Sequence, residues 1–480
     1  MNDRKGFGSN FGFLMAAVGS AVGLGNIWGF PNKMGANGGF PFLILYLALA
    51  LCCGVIIMLG ELALGRKTGH GAVGAYQSIS KRFKWLGWLG IAAAALIFSF
   101  YSALGGYCLR YVVVNFGNLI GAEFGTNGVG GADVFQGLLS QPGVSIAFAL
   151  AFMLITMLVV MSGVGGGIER VCSVGMPALF FILIICIIRS CTLPGAADGL
   201  KYMFVPGWAV ANGIIDEAPG FWRVLTAAGG QMFFSLSLGA GVMITYGSYL
   251  DKKQDLGKST MIIVGMDTVV ALMAGLCVIP GRFALDPNGA LGGPELLFIT
   301  MQNVFDKMGP AGPVFGILFY LLVFFAAISS SISMLEVIVA HFCDKAREKG
   351  KGDRRKLYSA IAVVICAALC ALVCADGMGS NHISPAELLG LAGAKLPGWS
   401  TSWLGLFDSV AEGLLMPLGA LLMCLMISWE LKPDALRQEI LLNGENRPWV
   451  YDFFRLCVKY ITPLCMLMIL YGQISDFFIV

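Results

Sequence analysis

Eleven stretches of this chain stay apolar for about 20 residues each, the length a helix needs to cross a bilayer. They run over 9–33, 40–65, 87–115, 145–163, 171–192, 226–249, 258–281, 311–341, 357–375, 404–429 and 450–474. In lipid, only helices and closed barrels satisfy every backbone polar group. Continuous apolar runs, without the two-residue alternation of a membrane strand, specify helices. The fold class expected is an all-α polytopic membrane protein with 11 transmembrane helices. Composition agrees: 57% of the 480 residues are hydrophobic and 12% are charged, with a mean hydropathy of +0.80. A soluble fold of this length has too little interior for that apolar surface. This excludes a soluble enzyme, a nucleic-acid binder and a disordered scaffold. A net charge of +3 offers little to a polyanion. No cleavable signal peptide is expected, because the first apolar run is too long and lacks a small-residue cleavage site.

The polar connections set an orientation. With the N-terminus inside, 21 of the 31 lysines and arginines fall on cytoplasmic segments and 8 on the outer side. That bias predicts a cytoplasmic N-terminus and an outer C-terminus. The longer loops, 116–144, 193–225, 282–310 and 376–403, then lie outside, and Pro294–Met308 reads as a short helical lid. The charged block Asp344–Lys356 reads as a solvated inner turn. Most of the 14 cysteines sit within apolar runs, with no CxxC pair and no histidines at zinc spacing. They read as small hydrophobes at helix contacts.

Glycine is over-represented, with 65 residues, and is costly inside a helix unless backbones touch or unwind. Span 1 carries Gly19-Ser20-Ala21-Val22-Gly23-Leu24-Gly25-Asn26 near its middle. Span 6 carries Ser235-Leu236-Ser237-Leu238-Gly239-Ala240-Gly241 at a similar depth. One such segment is explained well enough by close helix packing. Two of them, five spans apart, favour unwinding around a wet cavity. Freed carbonyls there bind cations, and half-helix amides bind anions. The pattern resembles a known architecture of inverted repeats, and that resemblance implies repeats at spans 1–5 (9–192) and 6–10 (226–429), with span 11 (450–474) added.

Five strings, in order and on the matching spans, make the chain resemble the neurotransmitter:sodium symporter family, in its bacterial amino-acid branch. They are Ala21-Val22-Gly23-Leu24-Gly25-Asn26-Ile27-Trp28, Gly60-Glu61-Leu62-Ala63-Leu64-Gly65-Arg66, Gly167-Ile168-Glu169-Arg170, Gln231-Met232-Phe233-Phe234-Ser235-Leu236-Ser237-Leu238-Gly239 and Ser329-Ser330-Ser331. The resemblance implies a LeuT-like fold, a single transporter domain over 1–480 and sodium-coupled import of an amino acid. It also implies residence in a bacterial inner membrane, with no nucleic acid and no obligate protein partner.

The same resemblance implies two sodium ions. One site would use the carbonyls of Gly19, Val22 and Ala326 with the hydroxyls of Ser329 and Ser330. The other would use the Ala21 carbonyl, the Asn26 side chain, Ser235 and Asp267. Asp267 is the only acid of span 7, and a carboxylate at membrane depth is functional by default. Relatives in animals place a chloride beside this site, whereas a fixed acid replaces it in bacterial members. No chloride requirement is therefore expected. Glu61 is expected to brace the unwound segments.

For the substrate, the resemblance implies that the amides near Leu24 and Gly25, the Tyr101 hydroxyl and the second sodium meet the carboxylate. The Ala21 and Phe234 carbonyls and Ser235 would meet the ammonium, with Phe234 as an aromatic lid. Ser20, Ile97, Ser237, Ala240, Ser330 and Met334 would select the side chain. Relatives often carry a larger residue at the position of Ala240, so a bulky hydrophobic or aromatic substrate is expected. At the inner gate, Arg4 would pair with Asp344, with Phe7 standing for a Trp. The outer gate departs from the family: Trp28-Gly29-Phe30-Pro31 lacks the usual Arg at 29, although its acid partner persists as Asp408, with Glu412 one turn later. Lys33 is a weak substitute. Gly167 and Pro177 resemble the pair that lets span 5 unwind to release sodium. A non-transporting amino-acid sensor is the alternative function that the missing Arg keeps open. A membrane enzyme is weaker, since only three histidines exist and no nucleophile–base set is visible.

Overall fold

A computed structural model describes residues 6–126, 128–290, 293–352, 354–390, 397–431, 433–441 and 448–478. Among these residues every regular element is helical. Nine continuous helices are long and apolar enough to cross a membrane: Phe40–Thr68, Lys81–Ile120, Pro142–Met161, Val164–Cys191, Leu256–Leu285, Gly309–Glu348, Arg355–Asp376, Trp403–Leu431 and Pro448–Phe477. They coincide with the expected spans 2–5 and 7–11. Span 1 is a bent pair, Asn10–Ala21 and Gly25–Ala36, meeting at 43°. Span 6 is two shorter helices, Phe221–Leu236 and Val242–Gly247. Neither half of span 6 is long enough to cross alone, so ten units rather than eleven pass on length.

The two breaks have local causes. In span 1 the α-helix stops at Ala21, where Val22 turns to φ −75°, ψ 95°. In span 6, Ser237, Gly239 and Gly241 all take positive φ, at 53°, 78° and 73°. An L side chain resists that region, so the helix cannot continue there without glycine. The freed amide at Gly239 does not go unpaired. It donates to Glu61 Oε1 of span 2 at 2.7 Å.

Burial sorts the spans into inner and outer rings. Span 3 is the most enclosed, with 78% of its apolar stretch buried, whereas span 5 has 28%. Span 3 packs along span 8, while span 1 packs on spans 5, 7 and 8. The first half of span 6 lies against spans 2 and 11, and the second half against spans 2 and 8. The two breaks thus face one another in the centre. All the cysteines except Cys52, Cys191 and Cys465 are buried. The lid is helical over 294–306, starting where expected and ending two residues before Met308.

Candidate functional site

Span 8 carries three consecutive serines, and its helix turns two of them toward the break in span 1. Ser329 Oγ lies 3.4 Å from the Val22 carbonyl and 2.9 Å from the Ala326 carbonyl. Ser330 Oγ lies 3.3 Å from the Gly19 carbonyl and 3.1 Å from the Ser20 carbonyl. All are buried. This is a set of uncharged oxygens drawn from two helices, with carbonyls that the break has released from helical bonding. Such a set suits a hard monovalent cation. The residues expected for the first sodium site therefore fit one.

The second expected cluster centres on Asp267, in mid-helix on span 7 and fully buried. It is no helix-end residue reaching for water. Asn26 Nδ2 donates to Asp267 Oδ1 at 2.7 Å and to the Asp267 carbonyl at 2.9 Å. Ser235 Oγ contacts both carboxylate oxygens, at 3.0 and 2.9 Å. The Tyr46 hydroxyl donates to Oδ2 at 3.2 Å. Asn26 Oδ1 accepts the Gly23 amide at 3.0 Å, which ties the cluster to the break. A buried carboxylate held by neutral donors keeps an unneutralised negative charge, which a cation would balance.

Between the clusters lie the residues expected to hold the substrate. The Leu24 amide donates to the Tyr101 hydroxyl at 2.7 Å. Accepting that bond leaves the phenol proton free to donate to a second group. Phe234 lies with its ring centroid 6.3 Å from Tyr101 and 6.5 Å from Phe100. Ser20 Oγ donates to Ser333 Oγ at 2.7 Å, and Ser237 Oγ donates to the Ser20 carbonyl at 3.1 Å. Ala21, Gly25, Ile97, Ala240 and Met334 are buried around them. A Cβ placed on Gly90 of span 3 would lie 3.1 Å from the Ala240 carbonyl carbon, so spans 3 and 6 meet closely at this wall. With every one of these residues buried, the site is closed on both sides.

The gate residues are placed less uniformly. Arg4 lies outside the described residues. Phe7 packs edge-on against Phe13, Tyr246 and Tyr249 at 5.4–6.2 Å. Asp344 accepts the Gly71 amide at 3.2 Å and lies 4.0 Å from Arg347. At the other end, Lys33 forms its ion pair with Glu412, one turn beyond Asp408. Gly29 now has an explanation. Gln231 Nε2 donates to the Gly25 carbonyl at 2.6 Å, and a Cβ on Gly29 would lie 2.9 Å from Gln231 Oε1. An arginine at 29 would have to displace that glutamine.

Sequence reasoning missed Tyr46 and Ser333, whose positions on their helices gave no pattern. It also missed a buried triad: Arg355 bonds Glu336 at 2.5 and 3.0 Å, and the Tyr249 hydroxyl donates to Glu336 at 2.6 Å. A signal existed, because Glu336 is the only acid within 311–341, the same argument that singled out Asp267.

Comparison with known proteins converges on one family. Residues 4–127 and 133–478 match the sodium:neurotransmitter symporter family. The uncharacterised sodium-dependent transporter YhdH of Bacillus subtilis is 36% identical over 477 residues, 97% of each chain. One from Methanocaldococcus jannaschii is 30% identical over 459 residues, covering 91% of this chain and 84% of the relative. The crystal structure of MhsT in complex with L-phenylalanine superposes with a TM-score of 0.83 at 33% identity, covering 98% of this chain and all of MhsT. The fold and relatives are those of sodium-dependent membrane transporters and not of enzymes. On a match running through nearly its whole length, the chain belongs to the sodium:neurotransmitter symporter family.

Proposed function

We propose that this protein uses an inward sodium gradient to import an amino acid with a bulky hydrophobic or aromatic side chain. One arrangement carries the reading: a charge-free oxygen cluster and a buried carboxylate cluster flank the same break in span 1, beside the buried Tyr101, Phe234 and Ala240. Gly19, Val22, Ala326, Ser329 and Ser330 would hold one sodium ion. Ala21, Asn26, Ser235 and Asp267 would hold the other, together with the substrate carboxylate. The carboxylate would also take the Tyr101 proton and the freed amides near Leu24 and Gly25, so each ion and the substrate strengthen the other's binding. Ala21, Phe234 and Ser235 would receive the ammonium. The small Ala240 wall and the phenylalanine bound to MhsT support a large side chain.

The negative charge of Asp267 makes an added chloride unnecessary. Spans 1–5 and 6–10 are read as inverted repeats that rock to expose the site alternately. The N-terminus is taken as cytoplasmic and the C-terminus as outer. At the outer face, Lys33 and Glu412 would do the closing that an Arg at 29 and Asp408 do in relatives. At the inner face Asp344 and Phe7 belong to the closing layer. Each sodium that enters contributes about 2.3 kcal/mol per 100 mV of membrane potential, which supports accumulation of a zwitterion. Purified protein in liposomes, offered labelled amino acids with and without an inward sodium gradient, tests this reading. Gradient-driven accumulation of a bulky apolar amino acid supports it. Binding without accumulation would favour a sensor.

A further inference from the structure

Span 5 starts irregularly. Gly163 takes φ 85° and is followed by an over-wide helical segment, Val164–Glu169, before regular α-helix resumes at Arg170. The last residue of that segment, Glu169, reaches across to the chain just ahead of span 1. Its Oε2 accepts the Gly8 amide at 2.7 Å, and its Oε1 accepts the Ser9 hydroxyl at 2.9 Å. Ser9 is itself the cap of span 1, because its Oγ accepts the Gly12 amide at 2.9 Å. A Cβ at Gly12 would overlap the Glu169 carboxylate. The glycine therefore lets an acid of one helix lie flat against the first turn of another. The half-dipole of that turn favours a negative charge there.

The contact stands at the mouth of a seam. Farther along span 5, Cys172 and Met176 face Gly19: a Cβ on Gly19 would be 3.3 Å from Cys172 Sγ and 2.9 Å from Met176 Sδ. The Gly19 carbonyl belongs to the oxygen cluster of Ser329 and Ser330. Glu169, Cys172 and Met176 thus mark one line along span 5, from solvent to the candidate sodium site. Cys172 is completely buried.

We propose that Glu169 is a latch that holds the start of span 1 on span 5 and so keeps the sodium site closed from the Phe7 end. It is a positioning residue and need not touch sodium. A single carboxylate satisfies two donors and also sits at the end of the irregular segment, so lifting span 1 and regularising or unwinding the start of span 5 become one event. Phe7, packed on Tyr246 and Tyr249, holds the same short segment from the span 6 side. The inference rests on reading the chain as an alternating-access transporter, but its test needs no substrate.

Native Cys172 supplies the readout. The full-length protein in liposomes is exposed to a membrane-impermeant thiol reagent on the Phe7 face, and modification at Cys172 is quantified by peptide mass spectrometry. Cys457, buried on span 11 and away from the seam between spans 1 and 5, is the control. Glu169→Gln and Ser9→Ala should each raise Cys172 labelling, Glu169→Gln by about fivefold for a lost charge-assisted hydrogen bond. The double variant should gain less than the two single effects combined, because both changes break the Ser9–Glu169 hydrogen bond, whereas only Ser9→Ala also removes the cap on Gly12. Sodium should slow labelling in the unaltered protein. Unchanged Cys172 labelling in both variants overturns the latch. So does an increase at Cys172 matched by one at Cys457, which would mean general loosening. Failure of amino-acid uptake with the labelling pattern intact would count against the proposed transport and leave the latch standing.

Discussion

Replacing Asp267 by Asn removes one negative charge and little else. The amide keeps the shape of the carboxylate, and its oxygen can still accept from Ser235 or Tyr46. In the native protein four side-chain contacts converge on this carboxylate, at 2.7 to 3.2 Å, and no cationic side chain is among them. If a sodium ion balances the charge at about 4 Å, their attraction is about 4 kcal/mol at an effective dielectric constant near 20. Part of that is offset because the unpaired carboxylate is costly to bury in the ion-free protein. A net loss of about 2–3 kcal/mol remains, equivalent to sodium binding weakened about 30- to 150-fold. The assay is substrate binding to purified protein titrated with sodium at constant ionic strength, with choline as the replacement cation. Asp267→Asn should move the sodium midpoint upward by that factor while thermal stability in sodium-free buffer is kept or raised, because the uncompensated buried charge is gone. A midpoint that stays put in a folded Asp267→Asn protein would refute the placement of a sodium ion against this carboxylate.

Other substitutions probe separate parts of the account. Ser329→Ala with Ser330→Ala removes two oxygens from the cluster at Gly19 and Val22; gradient-driven uptake should fall at least about tenfold, measured in liposomes, at about 1 kcal/mol or more per lost ligand. Ala240→Phe should shift preference from bulky toward small amino acids, read by competition against a labelled substrate, and unchanged selectivity would remove Ala240 from the pocket wall. Lys33→Met strands the buried Glu412 without its partner and should cost about 3 kcal/mol or more of the closed state. It should speed labelling of a cysteine placed at Trp28, while the double change Lys33→Met, Glu412→Leu should recover much of the loss. Replacing chloride by gluconate should leave uptake unchanged, because Asp267 supplies the charge; collapse of uptake would contradict that role.

Much of the fold was legible because long apolar runs in a bilayer have one helical solution. The interruptions were legible too, since Gly239 and Gly241 adopt conformations that few other residues tolerate. Asp267 announced itself by the cost of a carboxylate at membrane depth, and the three side chains that donate to it, Asn26, Tyr46 and Ser235, are the matching structural fact. What stayed hidden depended on which side chains meet across helices. Tyr46 is an ordinary aromatic in an apolar run until its hydroxyl is found on Asp267. Arg355 looked like one more cytoplasmic charge, yet it neutralises Glu336 within the bundle. Gly29 was unreadable for the same reason, because the side chain that claims its space, Gln231, comes from another span. The outer pair shifted one turn, from the expected Asp408 to Glu412, and only three-dimensional reach decides which of two acids on one helix meets Lys33.

The most direct test of the central claim is uptake of labelled L-phenylalanine and other amino acids into liposomes holding the purified protein. An imposed inward sodium gradient, with potassium on both sides as the control, supplies the drive. The account predicts accumulation of bulky apolar amino acids above the external concentration, abolished when the sodium gradient is collapsed. Equal uptake with and without that gradient, or saturable binding with no accumulation of any amino acid, would contradict it.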